Sequence, residues 1–148
     1  MSDVTAGQNR PPRVRVLVYS SDANTRARVR SAVGNRPDPA VGEIEYTDIA
    51  TAAVVVEHMD AGGVDLAILD GEASPVGGMG LAKQLKDEID SCPPVLVLIG
   101  RPDDRWLADW SRAEAAVPYP LDPIRLGRAV VDLLIEHAAH PRSGAPSR

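Results

Sequence analysis

Three short runs of almost wholly aliphatic residues, at 14–19 (VRVLVY), 66–69 (LAIL) and 95–99 (VLVLI), constrain this chain more than any other feature. They are too short for ordinary helices, rich in branched side chains and apolar on successive residues. Strands buried on both faces of a parallel sheet read this way. The intervals between them carry helix signals. Asp22 is placed as the N-cap of a helix through Val33, with Gly34 ending it in the left-handed conformation. Residues 44–47 read as a further, weaker strand. They are followed by a helix over 49–60, although Val54, Val55 and Val56 are poor helix formers.

The pattern continues to the end of the chain. Gly62-Gly63 breaks the second helix, and a Gly/Pro loop at 71–80 leads to a helix over 81–89. A helix over 103–113 puts Trp106 and Trp110 on one face, because positions i and i+4 project together. Val117 marks a last short strand. Asp122-Pro123 then opens a final helix to about Ala139, with Leu126, Val130, Leu133, Leu134 and His137 at core-facing spacing. Strands alternating with helices imply right-handed crossovers and a parallel sheet covered on both faces. The expected architecture is α/β: a flavodoxin-like (βα)5 three-layer sandwich with strand order 2-1-3-4-5. Ligands in such sheets sit beyond the carboxyl ends of the strands, so chemistry is expected just after Tyr19, Leu69 and Ile99.

Composition narrows the function. The 148 residues suit one domain, taken as 13–140, between polar tails at 1–12 and 141–148 that are expected to be disordered. No apolar run reaches the roughly 18 residues of a membrane span, and the N-terminus has no signal-peptide core, so a cytoplasmic location is expected. A net charge of −5 argues against a general nucleic-acid binder, and Arg26, Arg28 and Arg30 read as a solvated helix face. Cys92 has no second cysteine to pair with, and His58, His137 and His140 form no constellation. There is no Ser/His/Asp arrangement and no phosphate-binding glycine motif; Gly77-Gly78-Met79-Gly80 reads as a loop entering a helix. Neither an enzyme nor a resident cofactor is expected.

Over about 13–139 the chain resembles the receiver domain of two-component response regulators. VLVYSSDANTR (16–26) is similar to the family's first strand and helix, and DLAILD (65–70) to its third strand. PVLVLIG (94–100) and VPYPLDP (117–123) are similar to its fourth and fifth strands. The resemblance implies a phosphate-accepting aspartate, here Asp70, with Mg²⁺ held by that carboxylate and an acidic pair after the first strand. It also implies a hydroxyl after the fourth strand and a lysine after the fifth, both gripping the phosphoryl group. In this chain the acidic pair falls on Ser20 and Ser21, the hydroxyl on Ile99 and the lysine on Tyr119, while an aromatic switch position falls on Ala116. Serines are poor Mg²⁺ ligands, isoleucine donates no hydrogen bond, and a phenol carries no positive charge at neutral pH. Asp22 or Glu72 would be the remaining carboxylates able to join Asp70 on a cation. The resemblance also implies a cis Tyr119-Pro120 bond.

The expected function is that of a stand-alone pseudo-receiver without an output domain, of the kind found in actinobacteria. It would act as a phosphorylation-independent interaction module or an accessory subunit of a larger assembly. The surface usually offered to partners is the fourth helix, fifth strand and fifth helix, which here brings Trp106, Trp110, Pro118 and Tyr119. Large aromatics of this kind concentrate binding energy. The respiratory NADH dehydrogenase is a candidate partner. Two alternatives stand beside this reading: a single-domain response regulator still phosphorylated on Asp70, and a small-ligand sensor using the altered pocket at Ser20, Ser21 and Tyr119.

Overall fold

The structure, a computed structural model, describes residues 12–140. Apart from Pro12, the two predicted tails lie outside that range. Five parallel strands form one sheet in the order β2-β1-β3-β4-β5. They are β1 (Val14–Tyr19), β2 (Ile44–Ile49), β3 (Leu66–Asp70), β4 (Val95–Ile99) and β5 (Ala115–Pro118). The helices between them are α1 (Ala23–Val33), α2 (Ala52–Ala61), α3 (Gly78–Glu88), α4 (Arg105–Trp110) and α5 (Pro123–Ala139). The expected fold and strand order are those observed.

Alternation along each strand divides the core in two. Leu17, Tyr19, Ala67, Leu69, Val95, Val97 and Ile99 point to one face, where Val55 and Met59 of α2, Leu81 and Leu85 of α3 and Ala108 of α4 cover them. Val16, Val18, Leu66, Ile68, Leu96, Leu98 and Val117 point to the other, against Val29 and Val33 of α1 and Leu126, Val130, Leu133 and Leu134 of α5. Every residue of β3 and β4 is buried. Burying one such side chain contributes roughly 1.5–3 kcal/mol, so the central strands anchor whatever stands at their carboxyl ends. Among the described residues no helix is long and apolar enough to cross a membrane.

Several boundaries differ from those expected. β2 runs on to Ile49, which pairs with Tyr19 and is buried, so α2 begins at Ala52 rather than at 49. Pairing with β1 outweighs the helix signal there. Gly34 has φ 78° but ψ −177°, an extended glycine conformation rather than the left-handed helical one; its N–H still closes α1 on Arg30. α3 starts three residues early, at Gly78. The glycines there serve close approach, since a Cβ on Gly78 would lie 2.8 Å from the main chain of Leu69 and Asp70. The predicted helix over 103–113 is a 3₁₀ turn (Pro102–Asp104) followed by the six-residue α4. Ser111 turns its hydroxyl back to the Ala108 carbonyl, and Arg112 adopts φ 65°, which stops the helix. Of the three arginines on α1, only Arg28 is simply solvated. Arg26 and Arg30 both reach Asp48 on β2, at 3.6 and 3.0 Å.

Candidate functional site

The carboxyl ends of β1, β3 and β5 converge on Asp70. It closes β3 with 4% of its surface exposed, and its carboxylate accepts from three donors. Ser20 Oγ donates to Oδ2 at 2.7 Å, while Tyr119 Oη and the Glu72 N–H donate to Oδ1 at 2.8 and 2.9 Å. Ser20 immediately follows β1, is wholly buried, and its Oγ in turn accepts from the Asp22 N–H at 3.0 Å. Tyr119 immediately follows β5 and its main chain donates to Ile99 O at 2.9 Å, so the ladder with β4 fixes the phenol. Its bond to Pro120 is cis, as is Ser74-Pro75.

The phenol is held neutral. Burial raises the Tyr119 pKa most; the hydrogen bond to Asp70 and the negative charges of Asp70 and Glu72 push the same way, and Thr25 opposes them. Desolvation followed by the charge of Asp70 also raises Tyr19. Tyr19 lies under the site in the core, and its hydroxyl donates to Val76 O at 2.6 Å, strapping the loop after β3 to β1.

The other candidate residues divide. Ile99 is fully buried in the core and brings no polar group. Ser21 is exposed; it turns to the loop and accepts from the Ser74 N–H at 3.1 Å rather than joining Asp70. Asp22 acts as the α1 cap, accepting from Asn24 N–H at 2.9 Å. Ala116 is half-buried against the core. On the flank of the site, both tryptophans of α4 are exposed, Trp106 by 66% and Trp110 by 52%. Neither is a core residue, and Lys83 Nζ of α3 lies 5.8 Å from the Trp110 ring centroid. Pro118 is half-buried at the end of β5.

Sequence reasoning missed Tyr19 and Thr25. An aromatic closing a largely aliphatic strand was the available signal for Tyr19.

A parallel 2-1-3-4-5 sheet with an aspartate ending its third strand is an arrangement shared with receiver domains of the response-regulator type. Over 121 residues the chain is 63% identical to an uncharacterized response regulatory protein of Mycobacterium tuberculosis, recorded in two strains; the match covers 82% of this chain and 91% of theirs. The chain belongs to the response-regulator family, whose receivers are signalling modules that interact with partner proteins. No protein-family model matches it. Solved structures similar in fold include the receiver domain of Francisella response regulator 1452, with TM-score 0.70 and 16% identity over 83% of this chain and 98% of that one. The Thermotoga maritima response regulator TrrA, solved with Mg²⁺ and beryllofluoride, gives TM-score 0.68 and 20% identity over 81% of this chain and 98% of that one.

The donors around Asp70 do not suit Mg²⁺ as that family holds it. Magnesium favours carboxylate oxygens in octahedral array, whereas Ser20 brings a hydroxyl, Ser21 turns away to Ser74, and both Asp70 oxygens already accept from protein donors. Among the described residues, no three His, Cys, Asp or Glu side chains gather closely enough to hold a metal ion.

Proposed function

We propose that this receiver is a protein-interaction module in which Asp70 is a structural acceptor rather than a phosphate acceptor. The observation that carries the reading is the hydrogen-bonded Asp70 carboxylate, engaged by Ser20, Tyr119 and the Glu72 N–H. A phosphoryl group would have to displace a neutral phenol that supplies no charge to replace the lost bond. Removing a single preorganised electrostatic group from an active site typically costs on the order of 100- to 1,000-fold in rate. Here the acidic pair, the hydroxyl and the lysine are all substituted.

Partner binding is assigned to α4, β5 and α5 because Trp106 and Trp110 stand exposed on α4, which leads into the strand that ends in Pro118 and is followed by Tyr119. Interface centres are enriched in such aromatics. The folding unit is taken as 13–140 and its setting as cytoplasmic. For a partner, the resemblance offers the respiratory NADH dehydrogenase, which serves as one bait in the test.

The test is co-purification from native lysate, with wild-type protein and with Trp106→Ala, Trp110→Ala and Asp70→Asn. Folded tryptophan variants should lose the partner while Asp70→Asn keeps it. Tryptophan variants that fold and keep the partner, together with an Asp70→Asn variant that releases it, would return control to phosphorylation or to a ligand at the Ser20–Tyr119 pocket.

A further inference from the structure

Glu72 lies two residues beyond Asp70, and its side chain folds back over the site. A Cβ built on Gly100 would fall 2.7 Å from Glu72 Oε2, 2.8 Å from Cδ and 3.1 Å from Oε1. The whole carboxylate therefore rests against the bare α-carbon of Gly100, the residue directly after β4. Gly100 is not among the glycines with positive φ, so its backbone suits any residue. A side chain at this position would push the end of the Glu72 side chain aside. The Glu72 N–H is tied to Asp70 Oδ1 at 2.9 Å, and its negative charge is felt at the Tyr119 phenol.

The carboxylate thus rests on Gly100 after β4, its own N–H is tied to Asp70 at the end of β3, and its charge reaches Tyr119 after β5. Those strand ends are the ones that surround a phosphoryl group on a receiver aspartate. We propose that Glu72 is a built-in occupant of the phosphoryl position, an anion supplied by the chain itself that holds the ends of β4 and β5 in one state. This rests on the reading of Asp70 as a structural acceptor and adds to it the group that takes the place of phosphate. A receiver built this way presents its α4–β5–α5 face without waiting for a signal at Asp70. The glutamate remains open to solvent on its outer side, as a phosphoryl group would be.

Two substitutions remove the occupant from opposite sides. Glu72→Ala deletes the carboxylate, and Gly100→Ala places a methyl group where it rests. Amide NMR spectra of the full chain should show both variants shifting the same signals, those of Val117 and Tyr119, beyond the immediate surroundings of each substitution. If Gly100→Ala fails to fold, Glu72→Ala alone decides, because its site is exposed. Shifts in Glu72→Ala confined to residues 71–73 would overturn the inference. The same samples are treated with Mg²⁺ and beryllofluoride. An adduct on the wild-type protein removes the reading of Asp70 itself. An unmodified wild type with confined shifts removes the role of Glu72 alone.

Discussion

At the scale of single residues, Tyr119 gives the Asp70 carboxylate a neutral donor, where the resemblance implies a lysine. Tyr119→Phe keeps the ring but leaves Oδ1 of Asp70 with only the Glu72 N–H. A hydrogen bond to a charged group contributes about 1.5–3 kcal/mol, and a loss of that order is expected in urea denaturation. The same phenol sets a pH dependence. Unfolded tyrosine loses its proton near pH 10, while burial and Asp70 hold the folded phenol protonated to higher pH. Above about pH 10 the unfolded state binds fewer protons, so stability falls as pH rises; below that pH the contribution is fully present. Tyr46, pushed up to about 12 chiefly by burial, and Tyr19 act in the same direction. The alkaline slope of stability should therefore become shallower in Tyr119→Phe without vanishing, as melting temperatures between pH 8 and roughly 11 would show. Ser20, Ser21, Ile99 and Tyr119 are legible in the sequence as departures from the pattern that the resemblance implies. Their new contacts are not, because a hydrogen bond between residues 49 positions apart depends on where two strand ends meet.

At the scale of elements, α3 and α4 depart most from the periodic pattern. α3 begins in a run of glycines that intrinsic propensity places in a loop, yet Gly78 lets the helix start against the end of β3. Gly78→Ala improves helix propensity by about 1 kcal/mol but drives a methyl into the Leu69 and Asp70 main chain. The net effect should be destabilisation, on the order of 1–3 kcal/mol as for other overpacked sites. α4 shows the opposite error: its sequence is helical for longer than its structure. The spacing of Trp106 and Trp110 correctly gave a shared face, but it could not tell a buried face from an exposed one. With Trp106 the more exposed ring, Trp106→Ala should change stability by about 0.5 kcal/mol or less, and Trp110→Ala, which also loses the contact with Lys83, by about 1 kcal/mol. A true contact residue would instead cost about 2 kcal/mol in binding, roughly thirtyfold in Kd. Thermal melting followed by titration against the captured partner separates the two quantities.

At the scale of the whole molecule, the sheet was the most legible part. Buried parallel strands read as near-continuous apolar runs, and β1, β3 and β4 have them over most of their length; β2, lying at the sheet edge with a burial pattern that alternates less cleanly, was read two residues short. The position of the site followed from topology, since the carboxyl ends of β1 and β3 flank the point where strand order reverses. Its state did not follow, because that state depends on donors brought together from β1, the loop after β3 and the residue after β5. The central claim is that this assembly has closed the receiver aspartate to phosphate. Mass spectrometry of the intact full chain after incubation with acetyl phosphate and Mg²⁺ tests it most directly. The account predicts a protein of unchanged mass, indistinguishable from Asp70→Asn treated alongside. A stoichiometric phosphoryl adduct on the wild type that is absent from Asp70→Asn would contradict it.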